Sequence, residues 1–177
     1  MQRILATITS LDQHVDALST NPEAYRPDSC PHCRLAGLWC HGCYYRKADR
    51  SAGVESHNPV AVLRFLCRSC LRTCSRLPLC IAPRRWYDWA VQQVVLLLLL
   101  GGSSLAGCCR CCGLERRTMR RWRDWLDRRG ETFAFWLRSR FPELGRIADH
   151  ATFWRHVLDS LSLAQAMAWV EREITVP

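Results

Sequence analysis

Apolar residues recur at helical intervals over much of this chain. The first such set has spacings of one, three or four: Ile4, Leu5, Ile8, Leu11, Val15 and Leu18. This spacing predicts a short amphipathic helix near the N-terminus. Pro22 and Pro27 then predict a turning or extended link.

A second helical pattern runs from about Trp86 to Gly101, and its Val94 to Leu100 segment is entirely apolar. Such a helix is expected in the centre of a core. The glycines at 101 and 102 predict its end, and Ser103 or Ser104 is expected to cap the next helix.

The rest of the chain also predicts helices. A short one ends at Gly113, and a longer one covers about Glu115 to Arg129. Beyond Gly130 the pattern predicts helices over 131–141, 151–161 and 163–174, with breaks near Pro142 and Ser162.

Composition narrows the class of protein. The 177 residues are 49% hydrophobic, which excludes a mainly disordered chain. The longest apolar run, Val94 to Leu100, is much shorter than the roughly 20 residues that cross a bilayer. Because the N-terminus lacks a clean signal peptide, we expect a reducing cytoplasmic setting. The net charge of +9 points to a nucleic acid, and Lys47 is the only lysine among the 25 basic residues.

Twelve cysteines point to metal in a reducing compartment. Cys30 and Cys33 form one CxxC pair, and Cys67 and Cys70 form another. Four thiolates saturate a tetrahedral ion, so we predict one structural Zn²⁺ on these residues. Buried free cysteines in a small domain are the alternative.

The remaining cysteines are less diagnostic. A second zinc on Cys40, Cys43, Cys74 and Cys80 stays open, although packing is favoured for these four. Another four crowd one predicted helix: Cys108, Cys109, Cys111 and Cys112. They project around the whole helix and cannot converge on one ion, so we interpret them as packing residues. A reactive thiol at Cys108 or Cys111, and hence a redox sensor, stays an alternative.

Arginines dominate the segment that follows Gly113. If Met119 and Trp122 face inward, the first half of the helix presents its arginines outward. The candidate DNA-contacting residues are Arg116, Arg117, Arg120, Arg121 and Arg123. Arginine offers paired donors to guanine or phosphate, so these residues predict a recognition helix for duplex DNA. A merely solvated helix face is the alternative.

Two stretches carry a family resemblance. Residues 30–33, 38–42 and 64–73 resemble the zinc ribbon of bacterial insertion-sequence proteins, with Cys74 where phenylalanine is usual. Residues 104–122, ending in Arg-Thr-Met-Arg-Arg-Trp, resemble the helix-turn-helix of insertion-sequence transposases, with Glu115 where a serine or threonine cap is usual. The resemblance implies a DNA-binding protein of transposition that works beside a separate catalytic transposase.

We therefore predict a mainly α fold with a small β zinc ribbon, followed by a helix-turn-helix and C-terminal helices. The predicted divisions are an N-terminal helix and linker over 1–29, the zinc ribbon over 30–82, the helix-turn-helix over 83–129 and a helical extension over 130–177. No catalytic constellation is found, so a non-enzymatic protein of the bacterial cytoplasm and nucleoid is expected. A homodimer is an open possibility, and an adaptor for protein or RNA is the alternative function.

Overall fold

A computed structural model describes residues 4–49, 56–83 and 87–174. The chain divides into two compact units, Met1–Asp88 with Glu171–Pro177 and Trp89–Val170. Within the described residues the fold is mixed, with five α-helices and two small sheets. No helix of this described part is long and apolar enough to cross a membrane.

The first unit begins with a short strand where a helix is predicted. Strand β1 (Ile4–Leu5) pairs in parallel with β5 (Leu77–Pro78), and helix α1 covers only Leu11–Thr20. The prediction that Ile4, Leu5 and Ile8 belong to the helix is wrong. The helix begins only at Leu11 because Ser10 caps it. The Ser10 hydroxyl oxygen accepts from the Gln13 amide, and the Gln13 side-chain oxygen accepts from the Ser10 amide.

A three-stranded antiparallel sheet forms the centre of the first unit. Strands β2 (Leu38–Arg46), β3 (Val60–Cys67) and β4 (Thr73–Cys74) lie in the order β2-β3-β4. A bulge between Cys40 and Cys43 shifts the β2–β3 register, and Gly42 takes a φ of 72° there. The buried face of β3 packs against Tyr25 and Leu38.

A buried histidine joins α1 to this sheet. His14 Nε2 lies 2.8 Å from the Ala61 carbonyl oxygen, so it donates to that acceptor. Nδ1 is then the acceptor for the Tyr25 hydroxyl at 2.5 Å. Both side chains are fully buried, and burial lowers the pKa of His14 while raising that of Tyr25 to about 12.

The second unit contains four helices: α2 (Trp89–Leu100), α3 (Leu105–Cys112), α4 (Arg116–Arg140) and α5 (His150–Val170). Helix α2 ends before Gly101 as predicted, and the Ser104 side chain caps α3 by accepting from the Gly107 amide. Gly113 closes α3 in the left-handed conformation. The predicted helical start at Trp86 lies outside the described residues.

Helix α4 continues through Gly130, where the sequence predicts a break. A Cβ at this position would lie 2.7 Å from His150 Nε2 and 3.0 Å from Trp154 Nε1. The glycine therefore allows α5 to approach α4 closely instead of ending the helix. The predicted separate helix over 131–141 is the second half of α4.

The interior of the second unit is built from parts of several helices, and α2 is not wholly enclosed in it. Trp89, Val95 and Leu96 are buried on one stripe of α2, whereas Val94 on another stripe is 51% exposed. The expectation of a fully central α2 is therefore wrong. Phe133, Phe153 and Trp154 supply much of the buried volume instead.

The predicted break at Ser162 is confirmed as a kink inside α5. Ser162 has a φ of 62°, which frees backbone groups on either side of it. The Gln93 side chain satisfies two of them, because its Nε2 donates to the Leu158 carbonyl at 2.9 Å and its Oε1 accepts from the Leu163 amide at 2.7 Å. The predicted helix over 163–174 ends at Val170.

Candidate metal centre and cationic helix

The two CxxC segments fold into the same turn. The Cys30 amide donates to the Leu35 carbonyl at 2.9 Å, and the Cys67 amide donates to the Arg72 carbonyl at 3.0 Å. In each turn the amide of the residue after the second cysteine donates a hydrogen bond to the carbonyl oxygen of the first cysteine, also at 2.9 Å. These following residues, Arg34 and Leu71, have φ values of 66° and 57°.

Positive φ at Arg34 and Leu71 is a local strain of roughly 1 kcal/mol per residue for a side chain with a Cβ. Glycine would avoid this cost, but neither position is a glycine. The sequence therefore lacks the residue that usually marks such a turn. The CxxC spacing and the shared hydrogen-bond pattern hold the turns in place. Each turn thus presents two sulfurs on the same side of its backbone.

The four sulfurs of these turns converge. Cys30 Sγ lies 3.6 Å from Cys70 Sγ, and Cys33 Sγ lies 3.6 Å from Cys67 Sγ. All four sulfurs lie within 4.8 Å of one another. Four thiolates at about 2.3 Å from a tetrahedral ion would be about 3.8 Å apart, so this cluster matches a closed four-sulfur metal site. The predicted set Cys30, Cys33, Cys67 and Cys70 is confirmed as a group that could hold a metal ion.

Backbone amides prepare part of this cluster for ionisation. The pKa of Cys67 is lowered to about 6, first because its sulfur accepts from the Cys70 amide. At Cys70 the Arg72 amide favours the thiolate, but burial and the neighbouring sulfurs outweigh it and raise the pKa to about 12. The thiolate of Cys67 therefore forms easily, whereas that of Cys70 is disfavoured by burial and by the neighbouring sulfurs. A bound cation would relieve the repulsion between these thiolates.

The other cysteines do not join this site. All twelve are free thiols. Cys40 and Cys43 are exposed on β2, while Cys74 and Cys80 are half-buried. Across the described ranges, the four-cysteine cluster is the single group of three or more metal-ligating side chains. The structure does not bring Cys40, Cys43, Cys74 and Cys80 together as a second group.

The cysteines of α3 differ in burial. Cys108 is fully buried, whereas Cys109 and Cys112 are half-buried and Cys111 is exposed. Burial raises the pKa of Cys108, which opposes the thiolate that a reactive cysteine needs. The interpretation as packing residues agrees with the burial of Cys108 and the half-burial of Cys109 and Cys112, but not with the exposure of Cys111.

Helix α4 begins with a cationic surface. Met119 and Trp122 are buried at 0% and 6% exposure, as predicted, and four arginines of the first two turns are exposed: Arg116, Arg117, Arg120 and Arg121. Of the ion pairs between described residues, none involves these four. Their guanidinium groups therefore remain available to an anion from outside.

The N-terminus of α4 adds to this positive field. Glu115 occupies the capping position, but its side chain makes no capping hydrogen bond. The Glu115 carbonyl accepts from the Thr118 and Met119 amides. The positive end of the helix dipole thus lies beside four exposed arginines.

Arg123 differs from the other four predicted residues. It is exposed, but its guanidinium lies 3.4 Å from the Asp124 carboxylate and 3.9 Å from that of Asp127. Asp124 lies about one turn beyond Arg120 along the helix, and Asp127 lies about two turns beyond it. The uninterrupted cationic surface therefore covers the first two turns and ends near Arg123.

Searches of protein-family models, curated proteins and solved structures found no match to this chain. The site is therefore described from its own geometry. Its two parts are a four-sulfur cluster in the first unit and a cationic helix start in the second.

Sequence reasoning underestimated the charge of the ribbon. Residues 30–80 contain eight arginines and lysines against Asp49 and Glu55, a net charge of +6. The net charge of residues 110–129 is +5. A count by segment would have located this second basic region, but the dense arginine string of α4 dominated the interpretation.

Proposed function

We propose that this chain is a DNA-binding protein of a mobile genetic element, combining a structural zinc ribbon with a helix-turn-helix. The observation that carries the proposal is the start of α4, where four exposed arginines without ion pairs surround the positive end of a helix. Helices α3 and α4 are joined by three residues, Gly113 to Glu115. This short connection is typical of a helix-turn-helix.

The metal of the four-cysteine site is zinc in this proposal. Four sulfurs in a tetrahedral arrangement suit zinc or iron, and a closed site with no open position is typical of structural zinc. Buried Cys30 and Cys67 lie between α1, Tyr25 and the sheet, so the ion would stabilise the core of the first unit. Its role is to hold the ribbon together rather than to react.

In this proposal the arginines of α4 make two kinds of DNA contact, with phosphates and with base edges. Arg116 and Arg117 lie in the first turn, where phosphates can also reach the helix end. Arg120 and Arg121 lie one turn further along the exposed surface and would face base edges in the major groove. Phosphate contacts supply affinity, and paired donors to guanine supply sequence preference.

The chain acts without catalysis of its own in this proposal. It recognises DNA for a separate catalytic transposase, as the resemblance of residues 30–73 and 104–122 implies. A complex with that enzyme on a DNA end would be the functional assembly. Among the described residues, the aspartates and glutamates do not join any group of three or more potential metal ligands, so the proposal gives them no catalytic role.

The decisive experiment compares two double variants that remove the same charge from α4. Arg117→Gln with Arg121→Gln removes two candidate contacts, whereas Arg128→Gln with Arg129→Gln removes two exposed arginines further along the helix. Duplexes selected by the wild-type chain from random DNA are titrated by fluorescence anisotropy. We expect the first pair to lose at least tenfold in affinity, since a good paired contact contributes about 1–3 kcal/mol.

The control decides whether position or only charge matters. The Arg128 and Arg129 pair should weaken binding by less than threefold, because these residues lie beyond the acids at 124 and 127. Equal losses in both pairs, or no selected sequence at all, would contradict the recognition-helix proposal. A tighter, sequence-independent affinity for RNA would favour the adaptor alternative instead.

A further inference from the structure

We propose that the face of the β2-β3-β4 sheet that carries Trp39 is a second nucleic-acid surface, which binds unpaired DNA bases by stacking on Trp39. The surface consists of Trp39 on β2, Arg64 on β3 and Arg68 directly after β3. It lies in the first unit, whereas the proposed duplex contact is in the second. The inference is therefore independent of the recognition helix.

The edge strand β2 leaves its aromatic side chains in solvent. It pairs with β3 on one side and is the outermost strand of the sheet. Trp39 is 60% exposed and Tyr45 is 64% exposed. The exposed face of the Trp39 ring is therefore accessible for stacking.

Trp39 and Tyr45 lie on opposite faces of the sheet. Trp39 pairs with Leu66 and Tyr45 pairs with Ala61, and these two β3 residues are five positions apart on a strand whose side chains alternate between faces. Leu66 shares its face with Arg64, so Trp39 and Arg64 lie on one face. The proposed surface therefore includes Trp39 and does not include Tyr45.

Arg68 lies beside the Trp39 ring and Arg64 lies beside the Tyr44 ring, and neither charge is compensated within the described part of the chain. The Arg68 guanidinium carbon is 5.8 Å from the centre of the Trp39 ring, and that of Arg64 is 5.4 Å from the Tyr44 ring. No acidic side chain among the described residues pairs with Arg64 or Arg68. A base stacked on Trp39 would thus have a phosphate-binding cation next to it.

The charge around this sheet favours a polyanion as the partner. Residues 30–80 have a net charge of +6. Glu23 and Asp28 line a groove together with Arg26 and Trp39. Glu23 is paired with Arg26 at 2.8 Å, which offsets its charge. The unpaired positive charge of the proposed surface is therefore supplied by Arg64 and Arg68.

Unpaired bases fit this surface better than a duplex. A duplex keeps its bases stacked on one another, so an exposed tryptophan on an open sheet can reach only its backbone. A single strand exposes the faces of its bases, and each base can stack on an aromatic side chain. DNA is the occupant to which the inference commits because the proposed function is DNA recognition, and in this one respect the inference rests on that function.

The test uses the full chain with its metal bound and a fluorescein-labelled twelve-nucleotide oligothymidine. Anisotropy titrations compare the wild type with Trp39→Ala, Trp39→Phe and Phe135→Ala. Phe135 is the matched control, because it is 63% exposed on α4 and packs edge-on against Trp136. We expect Trp39→Ala to lose at least tenfold in affinity, Trp39→Phe to retain most of it and Phe135→Ala to change less than twofold.

Several outcomes would overturn the inference. One is an oligothymidine affinity that Trp39→Ala leaves unchanged while Arg68→Gln lowers it, since phosphates alone would then account for binding. Another is tighter binding of oligouridine than of oligothymidine. Metal content and circular dichroism show whether the first unit is folded in Trp39→Ala. If it is not folded, the oligothymidine affinity of Trp39→Phe decides whether the inference holds. The Arg117 and Arg121 double variant should retain oligothymidine binding, which separates this inference from the proposed duplex function.

Discussion

Gln93 gives the most quantitative prediction for the helical unit. Its amide replaces two backbone hydrogen bonds that the kink at Ser162 removes from α5. Gln93→Leu keeps the size of the side chain but leaves the Leu158 carbonyl and the Leu163 amide without this partner. Both residues are buried, at 1% and 0% exposure.

The expected cost follows from these two groups. Leaving one buried backbone group unsatisfied costs about 1–3 kcal/mol, and the half-buried position of Gln93 lets water offset part of this. We expect Gln93→Leu to lower the free energy of unfolding of the second unit by about 2–4 kcal/mol. For a unit of this size the midpoint of thermal unfolding should fall by about 10 °C or more.

The neighbouring residue provides a matched control of opposite sign. Gln92 is fully buried, and within the described structure neither its Oε1 nor its Nε2 has a hydrogen-bond partner. Gln92→Leu should therefore raise stability by about 1 kcal/mol, because a buried unpaired amide is removed. Urea unfolding followed by far-ultraviolet circular dichroism measures both variants. A loss below about 0.5 kcal/mol for Gln93→Leu, or an equal loss for both variants, would refute the reasoning.

Three further predictions concern the metal site, a buried histidine and a helix contact. Cys67→Ser should abolish the single bound metal ion in elemental analysis, whereas Cys40→Ser should retain it; full metal content in Cys67→Ser would contradict the four-sulfur site. The lowered pKa of His14 means that the unfolded chain binds a proton more readily, so stability should be complete above about pH 6.5 and fall below it. Urea unfolding at a series of pH values should show this fall in the wild type and a weaker one in His14→Gln. Gly130→Ala should destabilise the second unit by about 1–2 kcal/mol in the same assay, because the new methyl group would lie 2.7 Å from His150 Nε2 and 3.0 Å from Trp154 Nε1; a stabilised variant would show that helix propensity outweighs packing there.

Local sequence signals located the elements that depend on neighbouring residues. The CxxC spacing identified all four sulfurs of the cluster, since two residues between cysteines bring their side chains to one side of a turn. Gly113 and Ser104 correctly marked the end and the start of α3. The inward positions of Met119 and Trp122 followed from helical spacing, and so did the exposed arginines between them.

Signals that depend on distant contacts were misread. Gly130 has the local character of a helix end, but in the fold it makes room for His150 and Trp154 from α5. The apolar run of α2 predicted complete burial, yet Val94 remains exposed because the helices of its unit cover only one stripe. The rotation of α3 decides that Cys108 is the buried cysteine, and a cluster of four identical residues contains no sequence cue for this.

The sequence by itself determined the four cysteines that could hold a metal ion, the outward arginines of α4 and most helix ends. These features depend on spacings of a few residues, which backbone geometry converts directly into direction. Only the tertiary structure decided that two turns far apart in the chain place four sulfurs within 4.8 Å, and that Gln93 bridges a kink in α5. It also decided that Trp39 faces solvent beside Arg68. Such features arise from contacts between distant segments, whose register and orientation are not encoded in any local pattern.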